Sequence, residues 1–216
     1  MQEVKSLDDM DRFQDEMEPF YRWAKNNNMR YNDGKFVVLQ YGRDENLKND
    51  SVYFSDEMKE IINSNETHRD LGIEMSHEGT FDAHIDKIIK KARQKIGWFC
   101  RSFLSRDKQF MRKMFITYIR PQLEYCSALW SPQSGPIMDK IEKVQYDYTC
   151  LIPEISHLSY SDRLKALHLT SMERRYDRYK IFYIRKILLG EVPNIGIHIR
   201  SQEYFRMSLK LETYNR

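Results

Sequence analysis

Between Lys87 and Arg120 there is one acidic residue, Asp107. It is set against eleven cations: Lys87, Lys90, Lys91, Arg93, Lys95, Arg101, Arg106, Lys108, Arg112, Lys113 and Arg120. Aromatic side chains are interleaved with them across Phe81 to Pro132. Lysine and arginine neutralise phosphates, and aromatic rings stack on bases. This mixture therefore points to a surface that tracks a nucleic-acid backbone. The competing reading is a solvated helix face, which is what most charge runs are. The charge balance of the whole chain favours the first. Residues 1–70 carry 10 Lys+Arg against 16 Asp+Glu, a net of −6, so with a chain total of +3 the remainder carries +9. A basic C-terminal two-thirds suits a polyanionic partner.

Other chemistry is thinly represented. There is no G-x-G-x-x-G, Walker A, G-x-S-x-G or H-E-x-x-H sequence. Asp8-Asp9 is the only pair of adjacent aspartates. It falls at a predicted helix start, where carboxylates complement the macrodipole, whereas phosphoryl-transfer aspartates converge on a metal. His68, His77 and His84 lie near one another without a cysteine partner or zinc-ligand spacing. Cys100, Cys126 and Cys150 are odd in number and form no C-x-x-C pair, which argues against a disulfide framework or a structural zinc site. No metal ligand is assigned.

The 216 residues suffice for one or two domains, and 41% hydrophobic with 31% charged residues suits a globular chain. Mean hydropathy is −0.72. No apolar run approaches a membrane span, and the acidic N-terminus has no signal core. The expectation is an intracellular protein without a membrane partner.

The elements that position the basic stretch follow from periodicity. Ser6 caps a helix with Met10, Phe13, Met17, Phe20, Tyr21 and Ala24 on one face. Pro19 is expected to kink or break it. Asp33-Gly34 predicts a β-hairpin between Met29–Tyr31 and Phe36–Leu39. Val52–Phe54, Glu60–Ile62 and Leu71–Met75 are further candidate strands. From about Thr80 the pattern is helical. Ile85, Ile88, Ile89, Ala92, Ile96, Phe99 and Phe103 form an apolar stripe, which places Lys87, Lys90, Lys91, Gln94, Trp98 and Arg101 opposite it. Trp98 either packs on another element, the commoner fate, or lies against a sugar or base.

A second helix carries Met111, Met114, Phe115, Tyr118 and Ile119, kinked or restarted at Pro121, with Leu123–Trp130 continuing to Pro132. A third carries Ile137, Ile141, Val144, Tyr148 and Leu151 and ends before Pro153. Ser159 with Asp162 caps a short helix. Thr170–Glu173 reads as a capping box for a last one, with Tyr176, Tyr179, Tyr183 and Ile187 inward, Arg174, Arg175, Arg178 and Lys186 outward, and Gly190 and Pro193 at its end.

Five blocks carry a family resemblance: RDLGIEMSHEGTFDAHI, GWFCRSFLSRD, YIRPQLEYCSALWSP, IEKVQYDYTCLIP and LSYSDRLKALHLTSMERRYDRY. The chain resembles, from about Leu7 to Pro193, the C-terminal part of the reverse transcriptase of non-LTR (LINE, jockey/CR1-like) retrotransposons. RPQLEYCSALWSP and LTSMERRYDRY are the most specific blocks. One departure is Glu154, where the family commonly has glycine after the proline.

The resemblance implies an α+β, mostly α fold: a partial polymerase palm, made of a helix plus short antiparallel strands, followed by a helical thumb bundle. Residues 1–76 would be the end of the palm, 77–193 the thumb and connection, and 194–216 a weakly structured tail. It implies a fragment of an RNA-directed DNA polymerase. Its catalytic Y-x-D-D aspartates, fingers and endonuclease lie outside this chain, so it is expected to be inactive alone. Lys35, with Asn32, matches the palm lysine near the incoming nucleotide; no other catalytic residue is carried over. Gln94, Trp98 and Arg101 are similar in type to the minor-groove track of retroviral thumbs. The implied partners are an RNA–DNA or RNA template–primer duplex and the remaining fingers and palm. The full polymerase would require Mg, though this chain holds no cofactor, and the nucleus is a compartment open to it. The alternatives are a non-enzymatic RNA- or protein-interaction protein derived from a decayed element, and a relic without selected function.

Overall fold

A computed structural model describes residues 6–32, 35–39, 53, 62–64, 67–132 and 134–192. The described chain is mostly helical with short strands, as composition and periodicity predict. It divides into two compact units, 1–84 and 85–216.

In the first unit, α1 (Leu7–Asn26) starts as expected. The Ser6 hydroxyl oxygen accepts the Asp9 N–H at 3.3 Å and donates to the Asp9 carboxylate at 3.1 Å. Met10, Tyr21 and Ala24 are buried, and Phe13 and Met17 pack on a cluster of Met10 with Tyr53. Phe20, expected inward, is 67% exposed. At 100° per residue it lies at the edge of the stripe centred on Met10 and Tyr21. Pro19 does not break the helix. It is exposed, so its ring meets solvent, and the main loss is one intrahelical hydrogen bond.

The predicted hairpin across Asp33-Gly34 does not form. Residues 29–32 have no regular structure, and Asp33-Gly34 lies outside the described residues. β1 (Val37–Leu39) instead pairs in parallel with β2 (Ile62–Ser64), Val37 opposite Ile62. Tyr31 is held by rings rather than a ladder, with centroids 5.7 Å from both Tyr21 and Phe36. Most of the Val52–Phe54 and Glu60–Ile62 strand predictions also fall outside the described residues.

β3 (Thr67–Asp70) and β4 (Ile73–Ser76) form an antiparallel hairpin. Leu71 and Gly72, predicted as strand, are its two-residue turn, with φ of 47° and 89°. Positive φ at both central positions matches the right-handed strand twist, and glycine permits it at the second. β3 escaped detection because its four residues are polar and mostly exposed. The buried His84, in the first turn of α2 (Asp82–Ser102) and still within the first unit, accepts the Glu74 N–H on Nδ1 at 3.3 Å.

The second unit is helical among its described residues. α3 (Lys108–Met114) runs into a π-helical turn, Phe115–Ile119, and then α4 (Arg120–Glu124). The Arg120 N–H reaches back to the Phe115 carbonyl. This extra residue in the turn lets Pro121 enter at the start of α4, where its missing N–H costs least. The helix does not continue to Trp130 as predicted. It breaks at Tyr125-Cys126, and α5 (Ser127–Trp130) follows. The cause is Trp130, whose buried indole donates Nε1–H to the Tyr125 carbonyl at 2.8 Å. Cys126 sits at φ 52°, a left-handed conformation that costs a side-chain-bearing residue roughly 1–2 kcal/mol. C126G is therefore expected to raise stability by about 0.5–1 kcal/mol in denaturant titrations; a loss would show that the cysteine side chain contributes more than its backbone strain.

α6 (Gly135–Cys150) is central, with Ile141, Val144 and Tyr148 buried. Tyr148 donates to the Met111 carbonyl at 2.9 Å, and burial pushes its hydroxyl pKa up. α7 (Tyr160–Ala166) has Ser159 as its cap, accepting the Asp162 N–H at 3.3 Å. α8 (Met172–Leu188) is capped by Ser171, not Thr170. The Thr170 carbonyl is taken by Gln145 Nε2 at 3.0 Å. Glu173 stands in the first turn, but the carboxylate that accepts the leading N–H groups is not its own. Glu142 reaches across from α6 and accepts the Met172 and Glu173 N–H groups at 2.7 and 3.3 Å. Gly190, at φ 72°, closes the helix. Glu154, the departure from the family pattern, accepts the Lys108 N–H at 3.2 Å. It joins Asp107, which accepts the Gln109 N–H at 3.1 Å, in capping α3.

Candidate nucleic-acid interface

α2 is a 21-residue amphipathic helix. Ile85, Ile88, Ile89, Ala92 and Phe99 are buried, and the predicted opposite face is solvent-facing at Lys90, Lys91, Gln94, Trp98 and Arg101. Lys87 is half-buried and engaged in a contact of its own. Phe103, predicted to extend the stripe, lies one residue past the helix. Lys90 and Arg101 are eleven residues apart, about 16 Å along the axis, which matches roughly five phosphates of one strand.

Two shallow grooves flank Gln94. One, of about 570 Å³, is lined by Lys90, Arg93, Gln94, Gly97 and Arg101. The other, of about 290 Å³, is lined by Lys91, Gln94, Lys95, Trp98 and Gln122. Gly97 lines the first, where an added β-carbon would sit in ordinary contact, 3.4 Å, with an Arg101 guanidinium nitrogen. Asp86, at the rim, is paired with Lys140 at 3.4 Å. Lys90, Lys91, Arg93 and Arg101 have no carboxylate partner among the described residues, so their charge is available to a ligand. Trp98 does not pack inward, its commoner expected fate. It is 56% exposed and meets Phe103 edge-on at 6.2 Å.

The structure also removes cations from the surface that the sequence pooled together. Arg106 donates to the carbonyls of Cys100 (2.8 Å), Ser105 (3.0 Å) and Phe103, closing the end of α2. Arg112 Nε donates to the Leu167 carbonyl at 2.6 Å. Arg120 faces Glu124 at 3.8 Å. Lys95 stays exposed but reaches the Tyr118 carbonyl at 3.4 Å. Charge density along the chain could not separate these residues from the exposed ones.

Arg175, predicted outward, is turned in. Its guanidinium makes a two-point contact with Glu124, Nη2 to Oε2 at 3.1 Å, and donates to the Tyr179 hydroxyl at 2.8 Å; Tyr179 donates to the same carboxylate at 3.0 Å. The outer face of α8 still presents Arg174, Arg178 and Arg185, with Arg178 5.2 Å over the Phe182 ring. Arg174 and Arg178 were expected outward, but no binding role was assigned to this second basic surface from sequence.

Lys35 lies in a one-turn bend before β1, exposed, its N–H bonded to the Asn32 carbonyl at 2.9 Å. It belongs to the first unit, whereas the α2 stripe belongs to the second. Asp8 and Asp9 occupy the first turn of α1. No group of three His, Cys, Asp or Glu residues that could hold a metal ion occurs among the described residues. They do not fit a Mg site, and no catalytic step through a metal is assigned to them. No described helix is long and apolar enough to cross a membrane.

The class these observations define is a mostly helical chain with a basic helix face, on which Lys90, Lys91, Arg93 and Arg101 have no carboxylate partner among the described residues. The chain matches no family model, no curated protein and no solved structure.

Proposed function

We propose that this chain is the palm-edge and thumb portion of a retrotransposon reverse transcriptase, and that α2 grips the template–primer duplex. The observation that carries the reading is the set Lys90, Lys91, Arg93 and Arg101, exposed on one helix, without carboxylate partners among the described residues and distributed over the grooves on either side of Gln94. The five sequence blocks that resemble non-LTR reverse transcriptases support it. On this reading residues 1–76 are the edge of the palm and residues 77–193 the thumb and connection. The remaining fingers and palm, with their metal-binding aspartates, are the partner. The work is done on nucleic acid, and the chain alone synthesises no DNA.

A second reading rests on the first unit. Phe20, Trp23, Met29 and Tyr31 are exposed together at the end of α1, more apolar surface than isolated residues account for. A protein-interaction role derived from a decayed element would use that surface instead of the basic one.

Fluorescence anisotropy with an RNA–DNA hybrid separates the two. Four phosphate contacts give a slope of log affinity against log salt near −3.6, and a loss of roughly 10²-fold between 50 and 200 mM salt. Affinity that does not change over that range overturns the grip. Robust primer extension by the purified chain overturns the assignment of catalysis to the partner portion.

A further inference from the structure

The end of the α2 stripe carries a feature that charge does not explain. In the connection from α2 to α3, Leu104 is 98% exposed. It is mounted on a stiff base. Phe103 stacks on Phe99 at 5.0 Å and packs on Phe110 at 5.7 Å and Trp98 at 6.2 Å. Arg106 clamps the loop from the other side through the carbonyls of Cys100, Phe103 and Ser105, and Ser105 Oγ accepts the Asp107 N–H at 3.4 Å. The residue before the tip and the two after it thus all have ring or hydrogen-bond contacts, and the leucine is the most exposed large apolar side chain among the described residues. Arg101 and Lys108 flank it in sequence.

We infer that Leu104 is an apolar wedge that inserts between base steps of the duplex held along α2, an inference that rests on the proposed grip. Leucine is among the side chains that enter a minor groove, partly unstack a step and kink the helix by 20–90°. The wide, shallow minor groove of A-like duplexes gives a short side chain access to base edges. A wedge has to be stiff, because a floppy tip would fold back rather than separate a stack. The Arg106 clamp and the four-ring base supply that stiffness. An anionic lipid surface would also accept cations around an apolar tip. The Gln94 and Gln122 amides, which line the groove beside Trp98 along the same stretch, match the hydrogen-bonding edges of a nucleic acid better than acyl chains.

The test uses the full chain and RNA–DNA hybrids with 2-aminopurine placed singly at successive steps, together with end-labelled hybrids that report bending by energy transfer. The wild type is expected to brighten the probe at one position and shorten the end-to-end distance. L104S is expected to bind with the same salt slope and lose both signals. R106Q, which keeps the leucine but frees the loop, is expected to weaken both signals. Retention of the 2-aminopurine signal in L104S overturns the wedge. Binding by the wild type without any unstacking overturns the wedge and leaves the grip standing, whereas no salt-dependent binding overturns the grip itself. Loss of binding to phosphatidylserine vesicles in L104S, with hybrid unstacking unchanged, assigns the tip to a membrane and overturns the proposal.

Discussion

E124A is expected to destabilise the second unit by about 3 kcal/mol, the lower end of the 3–5 kcal/mol for breaking a buried ion pair by removing one partner. The lower end applies because the Glu124 and Arg175 side chains retain 12% and 21% exposure. Glu124 accepts from Arg175 and Tyr179 and faces Arg120. Removing the carboxylate leaves two guanidinium groups close together without a counter-charge. The two arginines are not equivalent. Arg120 is pushed to lower pKa by burial and by the Arg175 charge, with only partial compensation from Glu124. Arg175 is also penalised by burial, but its hydrogen bonds and charge contact with Glu124 more than offset this and raise it. Arg175 is therefore the true partner and Arg120 the bystander. The consequence is testable by a double-mutant cycle: E124A/R175M should recover part of the loss, because one orphaned charge goes with its partner. Chemical denaturation of the four proteins measures it. A loss under 1 kcal/mol for E124A would place the pair among ordinary surface ion pairs.

The second large effect concerns ligand binding rather than stability. A chain with K90A, K91A, R93A and R101A is expected to lose at least about 10²-fold in affinity for an RNA–DNA hybrid at 50 mM salt, and most of the salt dependence with it. Each replaced side chain is exposed and unpaired among the described residues, so the fold should change by less than about 0.5 kcal/mol per site. Arg106 and Arg112 make the contrast. They carry the same charge, but their guanidinium groups are committed to main-chain carbonyls within the fold. R112A should lower stability while leaving the salt slope near that of the wild type. If the four-site chain bound as the wild type does, the basic face of α2 would be a solvated surface and nothing more.

Much of the second unit was legible because helices write a period into the sequence. The α2 stripe from Ile85 to Phe99, the Ser159 cap and the inward Tyr176 all follow from 3.6-residue spacing and local capping chemistry, which depend on residues a turn or so away. Even Pro121 announced a restart, although only the backbone showed that a π turn accommodates it.

What the chain by itself determined is therefore its helical character, the segregation of cations opposite an apolar stripe on α2, and the absence of any recognised catalytic motif. What only the tertiary structure decided is the choice of partners over long separations. The parallel pairing of β1 with β2, the capping of α8 by Glu142, the inward turn of Arg175 onto Glu124 and the break before Trp130 each depend on where another element lies. The same holds for the basic stretch. Its eleven cations are equivalent in sequence, but some satisfy carbonyls and a carboxylate inside the fold while Lys90, Lys91, Arg93 and Arg101 have no carboxylate partner among the described residues. A lysine or arginine encodes charge locally, but whether that charge is free is set by the acceptors that folding brings within reach.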